Sequence, residues 1–220
     1  TEEQEPTPSP TTTTEPAPEE TTPDAEEETS EAAAELKQHG VAAAHPDAVE
    51  AGMQILEDGG NAVDAAIATS FAISVVEPYA SGIGGGGSTL LASPTMEPVG
   101  YDYREVVAED GNIPDSGTGV PGMVDGMATL HEEHGSMEWA ELLAPSIELA
   151  DEGFEVTELL AQRFESDWGP ASISGLGHFH SWGQPLSAGD TLVQEDLGQT
   201  LRTLAEEGPE DFYTGSIAEE

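Results

Sequence analysis

The sequence contains no cysteine and very few basic residues. Disulfides and thiolate chemistry are therefore excluded. The 220 residues include 45 acidic side chains and only four basic ones, which gives a formal net charge of −41. Nucleic-acid backbones and anionic membrane surfaces are bound by rows of Lys and Arg, so neither is an expected partner.

Long apolar runs are also missing. No stretch approaches the ~18–20 apolar residues of a membrane-spanning helix, so no membrane-spanning segment is expected. The scarcity of Lys beside abundant Asp and Glu predicts a surface adapted to strong salt, as in halophiles. At 1 M salt the Debye length is about 3 Å, which screens the self-repulsion of the carboxylates. An ordinary, very acidic protein is the alternative.

The composition divides the chain near residue 38. Residues 1–37 are rich in Thr, Pro and Glu and contain almost no apolar side chains that could form a core. This composition predicts a disordered acidic linker. Such segments often join a removed signal or an anchor to an exported domain, and we therefore expect an extracellular or cell-surface location. Residues 38–220 show apolar periodicity and predict a folded, helix-rich region.

Periodicity and capping residues predict the main elements of the folded region. Asn61 can cap a helix that is apolar nearly all round and is therefore expected to be buried. Pro121 is expected to begin a helix, Ser136 to cap the next one, Pro145 to interrupt it and Thr157 to cap another. The predicted helices cover 47–58, 62–76, 121–133, 157–164 and 195–207, and the predicted strands cover 88–92 and 99–107.

A glycine-rich loop contains a formal G-x-G-x-x-G at Gly82, Gly84 and Gly87. A dinucleotide site requires this pattern after a strand and at the start of a helix. Here the predicted order is reversed, so we interpret the loop as a backbone that passes tightly beside something bulky.

Histidines raise the question of a metal site. His131 and His134 are three residues apart, whereas the zinc-protease motif requires a spacing of four. His178 and His180 lie in a predicted loop. We interpret all four as ordinary surface histidines and expect no metal and no cofactor.

Arg104 is one of only three arginines in a chain that otherwise avoids positive charge. Its planar guanidinium matches a carboxylate, so it is a candidate ligand anchor. An internal ion pair with Asp102 or Glu105 is the structural alternative, and composition alone does not decide between the two.

The order of motifs from Gly40 onward resembles the gamma-glutamyltranspeptidase family. The Gly-Gly-Asn-Ala-Val-Asp-Ala-Ala stretch at 59–66 and the Ser-Gly-Ile-Gly-Gly-Gly-Gly stretch at 81–87 are specific in combination. The remaining matches, in chain order, are 44–46, 50–52, 76–78, 102–105, 119–122, 139–145, 150–154, 188–192 and 212–218.

The resemblance implies a fold and a mechanism. The fold class is α+β, an N-terminal-nucleophile hydrolase αββα sandwich, of which this chain carries a helix-rich, incomplete portion of the large subunit. The family precursor cuts itself into two subunits, and the small subunit is the expected partner. A threonine at the new N-terminus then attacks a gamma-glutamyl amide such as glutathione, and the glutamyl group passes to water or to an amino acid or peptide.

The resemblance assigns one residue of this chain to the site. The family's Arg-Glu motif corresponds to Arg104-Glu105, and the arginine binds the alpha-carboxylate of the glutamyl group. The family's Ala-Pro two residues further on is replaced here by Val107-Ala108, which leaves substrate choice open.

The Thr-Thr-His that opens the family's small subunit does not occur in the sequence. We therefore expect the nucleophile to lie downstream, no catalytic residue in this chain, no turnover by the chain alone, and apolar surface left uncovered. Two alternatives stay open. One is a related acylase that acts on dicarboxylic acyl amides or polyglutamate, and the other is a non-catalytic exported binding domain.

Overall fold

The computed structural model describes residues 39–109, 111–115, 117–166 and 169–219. The linker predicted over residues 1–37, including the basic residue Lys37, lies outside the described residues. Within the described ranges helices dominate, as predicted, and the strands are short.

The longer helices bracket a β-hairpin. They are α1 (Pro46–Glu57), α2 (Ala62–Val76), α3 (Met123–His134), α4 (Trp139–Glu152), α5 (Glu158–Glu165) and α7 (Glu195–Glu207). Single-turn helices are α6 (Gly169–Ser172), α8 (Asp211–Thr214) and α9 (Ser216–Glu219). None of the helices of the described ranges has the length and apolarity needed to cross a bilayer.

The strands form three antiparallel pairs. Strands β1 (Gly87–Ser93) and β2 (Met96–Tyr103) make the largest pair, in which Thr89 lies opposite Tyr101. The two minor pairs join β3 (Phe154–Glu155) to β6 (Thr191–Leu192) and β4 (His180–Ser181) to β5 (Gln184–Pro185).

Helix α2 lies at the centre of the core and contacts α1, α3 and α4. It is buried on nearly every side, as its sequence predicted, and its small residues allow the neighbouring helices to approach. Phe71 in α2 is fully buried, and the Trp139 ring of α4 packs edge-on against it at 5.6 Å between centroids. The Trp139 indole N–H donates to the carbonyl of Leu204, which ties α7 to the same core.

The N-terminus of α2 is anchored by a buried carboxylate. Asn61 caps the helix as predicted, and Asp64 completes a capping box by accepting from the Asn61 N–H at 2.8 Å. Asp64 also accepts from the N–H and the hydroxyl of Ser136. Ser136 was predicted to cap α4, but the N-cap is Glu138, because Asp64 engages the Ser136 side chain instead.

Two predicted boundaries are wrong for tertiary reasons. Helix α3 begins at Met123 rather than at Pro121, because the Gly85 carbonyl accepts from the N–H groups of both Gly122 and Met123 and sets where the helix starts. Helix α4 runs through Pro145 without a break, since the lost N–H costs one hydrogen bond while this helix keeps four residues buried in the core.

Candidate functional site

Arg104 directly follows the end of strand β2. The sequence predicted a strand over 99–107 with Arg104 inside it, but β2 ends at Tyr103, so its last four residues were assigned wrongly. The physical reason is that β1 begins at Gly87, opposite Tyr103, and offers no backbone beyond that point. Arg104 therefore lies in a connecting segment that is paired again only at Val106.

The outer edge of the Arg104 guanidinium is open. Its Nε donates to a Glu105 carboxylate oxygen at 3.3 Å, and its backbone N–H donates to Asp102 at 3.2 Å. The side chain is 72% exposed, and within the described residues neither Nη1 nor Nη2 has a hydrogen-bond partner. Both internal partners considered from the sequence are therefore present, but neither of them contacts the two terminal nitrogens.

The other described arginines are engaged. Arg202 pairs with Asp151, and the guanidinium of Arg163 lies over the Tyr79 ring at 5.3 Å from its centroid. Among the residues that the structure describes, Arg104 alone has a guanidinium whose terminal nitrogens contact neither a carboxylate nor an aromatic face. This is the geometry of a cation that is available to a ligand.

Hydrogen bonds lower the pKa of the Glu105 carboxyl below its ordinary value. Its own backbone N–H makes the largest contribution, partial burial opposes it, and the Arg104 guanidinium and the Gly86 N–H add to it. Glu105 therefore stays ionised at neutral pH and orients Arg104 through Nε. A carboxylate ligand would approach from the opposite, free edge of the fork.

The glycine-rich loop packs directly behind Arg104. A Cβ placed on Gly86 would lie 2.9 Å from the Glu105 nitrogen and 3.0 Å from the Arg104 Cα, so only glycine fits without displacing that backbone. Strand β1 follows the loop, where a dinucleotide site would require a helix. The loop is therefore a packed turn that backs the arginine segment.

A groove of about 820 Å³ opens beside Arg104. Val106 and Val120 form one of its walls, where an isolated antiparallel bridge joins them by Val106 N to Val120 O at 3.2 Å and Val120 N to Val106 O at 2.7 Å. A directly opposed pair of this kind presents both side chains on one face. They are 60% and 38% exposed, so the groove places an apolar wall beside the guanidinium.

Four carboxylates also line the groove. They belong to Asp102, Asp125, Glu132 and Glu210. The Tyr213 hydroxyl accepts from the Asp125 N–H at 3.1 Å. Burial raises the pKa of Tyr213, the hydrogen bond from the Asp125 N–H opposes this, and the Asp125 charge adds to the rise. The groove therefore attracts a ligand carboxylate at Arg104 and repels anionic groups along the remainder of its length.

His131 and His134 are held by hydrogen bonds within the fold. His131 is partly buried and its Nε2 bonds the Met137 carbonyl at 2.8 Å, while His134 Nε2 lies 2.6 Å from the Tyr101 hydroxyl. The interpretation of these two as surface histidines is thus wrong, because α3 packs them against β2 and the α3–α4 connection. His178 is exposed as expected. The described part of the chain contains no group of three His, Asp or Glu side chains arranged to hold a metal ion.

A second cavity, of about 330 Å³, lies between α1 and α4 and differs in charge. Its ionisable side chains are those of Asp47, Glu50, Glu148 and Glu152. With no cation in its lining, it does not suit the carboxylate ligand that Arg104 suits.

Comparison with known proteins connects this geometry to a family. A profile of gamma-glutamyltranspeptidase matches residues 48–220. This chain belongs to the gamma-glutamyltranspeptidase family.

Individual relatives agree with the family profile. The capsule biosynthesis protein CapD proenzyme of Bacillus anthracis is 43% identical over 180 residues, which are 82% of this chain and 34% of that protein. Its crystal structure matches with a TM-score of 0.76 over 83% of this chain and 63% of that one. The glutathione hydrolase proenzyme of Escherichia coli is 36% identical over 204 residues, which are 84% of this chain and 35% of that protein.

The fold class is confirmed by structure as well. Helicobacter pylori gamma-glutamyltranspeptidase matches with a TM-score of 0.74 and 32% identity over 83% of this chain and 58% of that chain. The chain carries the helix-rich part of this N-terminal-nucleophile hydrolase fold, with only small sheets among the described residues. It spans about a third of the length of the curated relatives it matches.

Sequence reasoning found Arg104 but missed most of the groove around it. Tyr213 is more than 100 residues from Arg104 in the chain, and Val120 meets Val106 through a single bridge. The only available signal was that Val120 and Tyr213 fall within matched family motifs, at 119–122 and 212–218.

Proposed function

We propose that this chain is the N-terminal part of the large subunit of an enzyme that cleaves gamma-glutamyl amides such as glutathione. The glutamyl group passes to water or to an amino acid or peptide, through an N-terminal threonine that is not in this sequence. The observation that carries the proposal is Arg104, whose free fork opens onto a groove in a protein nearly devoid of positive charge.

In this proposal the chain supplies binding rather than bond cleavage. The threonine hydroxyl attacks the gamma-amide carbon, and its own free amine accepts the proton. The Arg104 fork holds the alpha-carboxylate of the donor at a fixed distance from that carbon, which lowers the entropy cost of reaching the transition state. Val106 and Val120 offer an apolar wall suited to the methylenes between the carboxylate and the amide.

The proposed partner is the small subunit released from the same precursor. Its support is the name proenzyme carried by the relatives and a set of exposed apolar side chains. Leu90, on the outer face of the β1–β2 hairpin, is 75% exposed, and Val107 and Ile113 are also exposed. We propose that these side chains are buried by the small subunit in the assembled enzyme.

A related acylase is the second candidate. The relative with 43% identity is named for capsule biosynthesis rather than for glutathione hydrolysis, and Val107-Ala108 departs from the family's Ala-Pro next to Arg104. The donor would then be a dicarboxylic acyl amide or polyglutamate. The acidic groove weighs against a polyanionic donor that extends along it.

Three chromogenic anilides separate these functions. Gamma-glutamyl anilide carries both an alpha-carboxylate and an ammonium group, glutaryl anilide keeps only the carboxylate, and 4-aminobutyryl anilide keeps only the ammonium group. Protein expressed from its complete reading frame and assayed in strong salt should prefer the first. Preference for the glutaryl compound would instead favour the acylase.

The Arg104→Ala variant tests the residue. A hydrogen-bonded ion pair contributes about 1.5–3 kcal/mol, so kcat/KM should fall roughly ten- to a hundredfold for both carboxylate donors and stay unchanged for 4-aminobutyryl anilide. Arg202→Ala is the matched control, because Arg202 pairs with Asp151 on α4 and should leave all three rates unaltered. Equal losses on all three donors would contradict the assignment.

An exported, tethered location is part of the proposal. Its support is the Thr/Pro/Glu-rich composition of residues 1–37. Protease treatment of intact cells should remove the protein if it is displayed outside. A non-catalytic binding domain is the remaining alternative, and a reading frame that continues into Thr-Thr-His would exclude it.

A further inference from the structure

We infer that Tyr103 is a positioning residue for Arg104, and that four glycines pack against Tyr103 and hold it in place. This clamp consists of Tyr103 together with Gly86, Gly87, Gly122 and Gly126. The inference rests on the proposed function, because it explains how that function's carboxylate anchor is held in place.

The Tyr103 ring lies against two of these glycines. A Cβ on Gly126, in the second turn of α3, would overlap the base of the ring, and a Cβ on Gly87 in β1 would lie 2.9 Å from ring atom Cε2. The ring hydroxyl bonds the Thr89 hydroxyl at 2.9 Å. The ring is thus held between strand and helix by its close contacts with Gly87 and Gly126.

The backbone carbonyl group of Tyr103 lies against the other two glycines, Gly86 and Gly122. A Cβ on Gly86 would lie 2.5 Å from the Tyr103 carbonyl oxygen and 3.0 Å from the Arg104 Cα. A Cβ on Gly122 would overlap the same carbonyl oxygen and lie 2.9 Å from the Tyr103 carbonyl carbon. The peptide that enters Arg104 is therefore enclosed from the glycine-rich loop on one side and from the start of α3 on the other.

The clamp matters because Arg104 has little else to fix it. Its side chain is 72% exposed, and among the described residues the guanidinium is hydrogen-bonded only at Nε, by Glu105. The direction of the fork therefore depends on where its Cα is held. A glycine inside a helix is destabilising relative to alanine, and the close approach of the Tyr103 ring accounts for Gly126 in α3.

The glycine-rich loop provides a matched pair of variants. Gly84→Ala adds a methyl group where no atom lies within 4 Å, whereas Gly86→Ala adds the same group against the backbone of Tyr103 to Glu105. Both change one glycine of the same loop by one carbon. Tyr103→Leu and Tyr103→Phe form a second pair, in which only the first removes the aromatic ring.

Limited trypsin digestion measures how firmly the clamp holds the Arg104 segment, without any activity assay. Trypsin cuts after Arg104 only if this segment opens, and after Arg202 only if α7 unfolds, so the ratio of the two cleavage rates separates local release from global unfolding. We expect Gly86→Ala and Tyr103→Leu to raise this ratio at least fivefold. Gly84→Ala and Tyr103→Phe should leave it within twofold of the unmodified protein.

The same variants link the clamp to the proposed function. Gly86→Ala and Tyr103→Leu should raise KM for gamma-glutamyl anilide tenfold or more with a smaller change in kcat, and leave kcat/KM for 4-aminobutyryl anilide unchanged. Tyr103→Phe, which keeps the ring, should have a KM close to that of the unmodified protein. A merely structural role would lower the rates on both donors together.

The outcomes are distinguishable. An unchanged cleavage ratio in Gly86→Ala and Tyr103→Leu overturns the clamp, and so does faster cleavage after both arginines in equal proportion. If the ratio rises as expected but the unmodified protein does not act on gamma-glutamyl anilide, the clamp stands and the proposed function fails.

Discussion

Asp64→Asn is expected to destabilise the protein substantially, because this carboxylate is fully buried and accepts four hydrogen bonds. The donors to one oxygen are the Asn61 N–H at 2.8 Å and the Ser136 hydroxyl at 2.5 Å. The donors to the other are the N–H groups of Ser136 at 2.9 Å and of Met137 at 3.5 Å. Asparagine keeps only one acceptor oxygen, so two of these donors must face an amide NH₂ instead.

The geometry indicates which oxygen is retained. The Ser136 hydroxyl can rotate to accept from the amide, whereas the backbone N–H groups cannot, so the new NH₂ should face the hydroxyl and the Asn61 N–H. The variant then loses the charge and two hydrogen bonds to it. At about 1.5–3 kcal/mol for each bond to a charged group, the free energy of unfolding should fall by roughly 3–6 kcal/mol.

The pH dependence of this effect has a defined sign. Burial raises the pKa of Asp64, but the hydrogen bonds from Ser136, Asn61 and Met137 outweigh it and the pKa is lowered overall. A carboxyl with a lowered pKa in the folded state stabilises fully above its unfolded pKa and loses that contribution as the pH falls through the folded value. The difference in stability between the unmodified protein and the Asp64→Asn variant should therefore narrow below about pH 4.

Urea unfolding followed by circular dichroism in strong salt measures the effect. Asp58→Asn is the matched control, because Asp58 is an exposed residue that ends helix α1, and its replacement should change stability by less than about 0.5 kcal/mol. A loss below about 1 kcal/mol in Asp64→Asn, or a difference that widens on acidification, would refute the reasoning.

Further predictions concern the core and the surface. Phe71→Ala should lower the free energy of unfolding by about 3–5 kcal/mol, measured by urea unfolding, since the ring is fully buried beneath Trp139. Gln194→Leu should cost about 1–3 kcal/mol in the same assay, because it leaves the buried Val75 carbonyl without its 2.8 Å hydrogen bond. Raising NaCl from 0.1 to 1 M shortens the Debye length from about 10 to 3 Å and should raise the urea midpoint of this −41 chain; a constant midpoint would argue against salt adaptation.

Local sequence signals predicted the helices with good accuracy. Asn61 caps α2 and Thr157 caps α5 where expected, and the apolar periodicity of α7 places Leu201 and Leu204 in the core. These signals succeed because capping and periodicity depend on residues within one or two turns of each other. Boundaries set by distant groups were missed, as at Pro121, where the Gly85 carbonyl determines the start of the helix.

For the candidate site, too, some features were predicted from the sequence and others are visible only in the structure. The scarcity of positive charge and the Arg-Glu motif identified Arg104 from the sequence, and family membership confirms the resemblance on which that choice rested. Composition did not decide whether Arg104 is internally paired. The structure decides it, since Glu105 takes only Nε and the terminal nitrogens stay free among the described residues.

The sequence by itself predicted most of the helical elements, the family and Arg104 as the candidate anchor for a carboxylate. Only the tertiary structure decided where strand β2 ends, which glycines surround Tyr103, and which distant residues line the groove. The physical reason is that helix signals are local, whereas the site is assembled from β2, the glycine-rich loop, α3 and α8, which lie up to about 130 residues apart in the chain. Contacts over such separations depend on how the core packs, and no short pattern in the sequence records them.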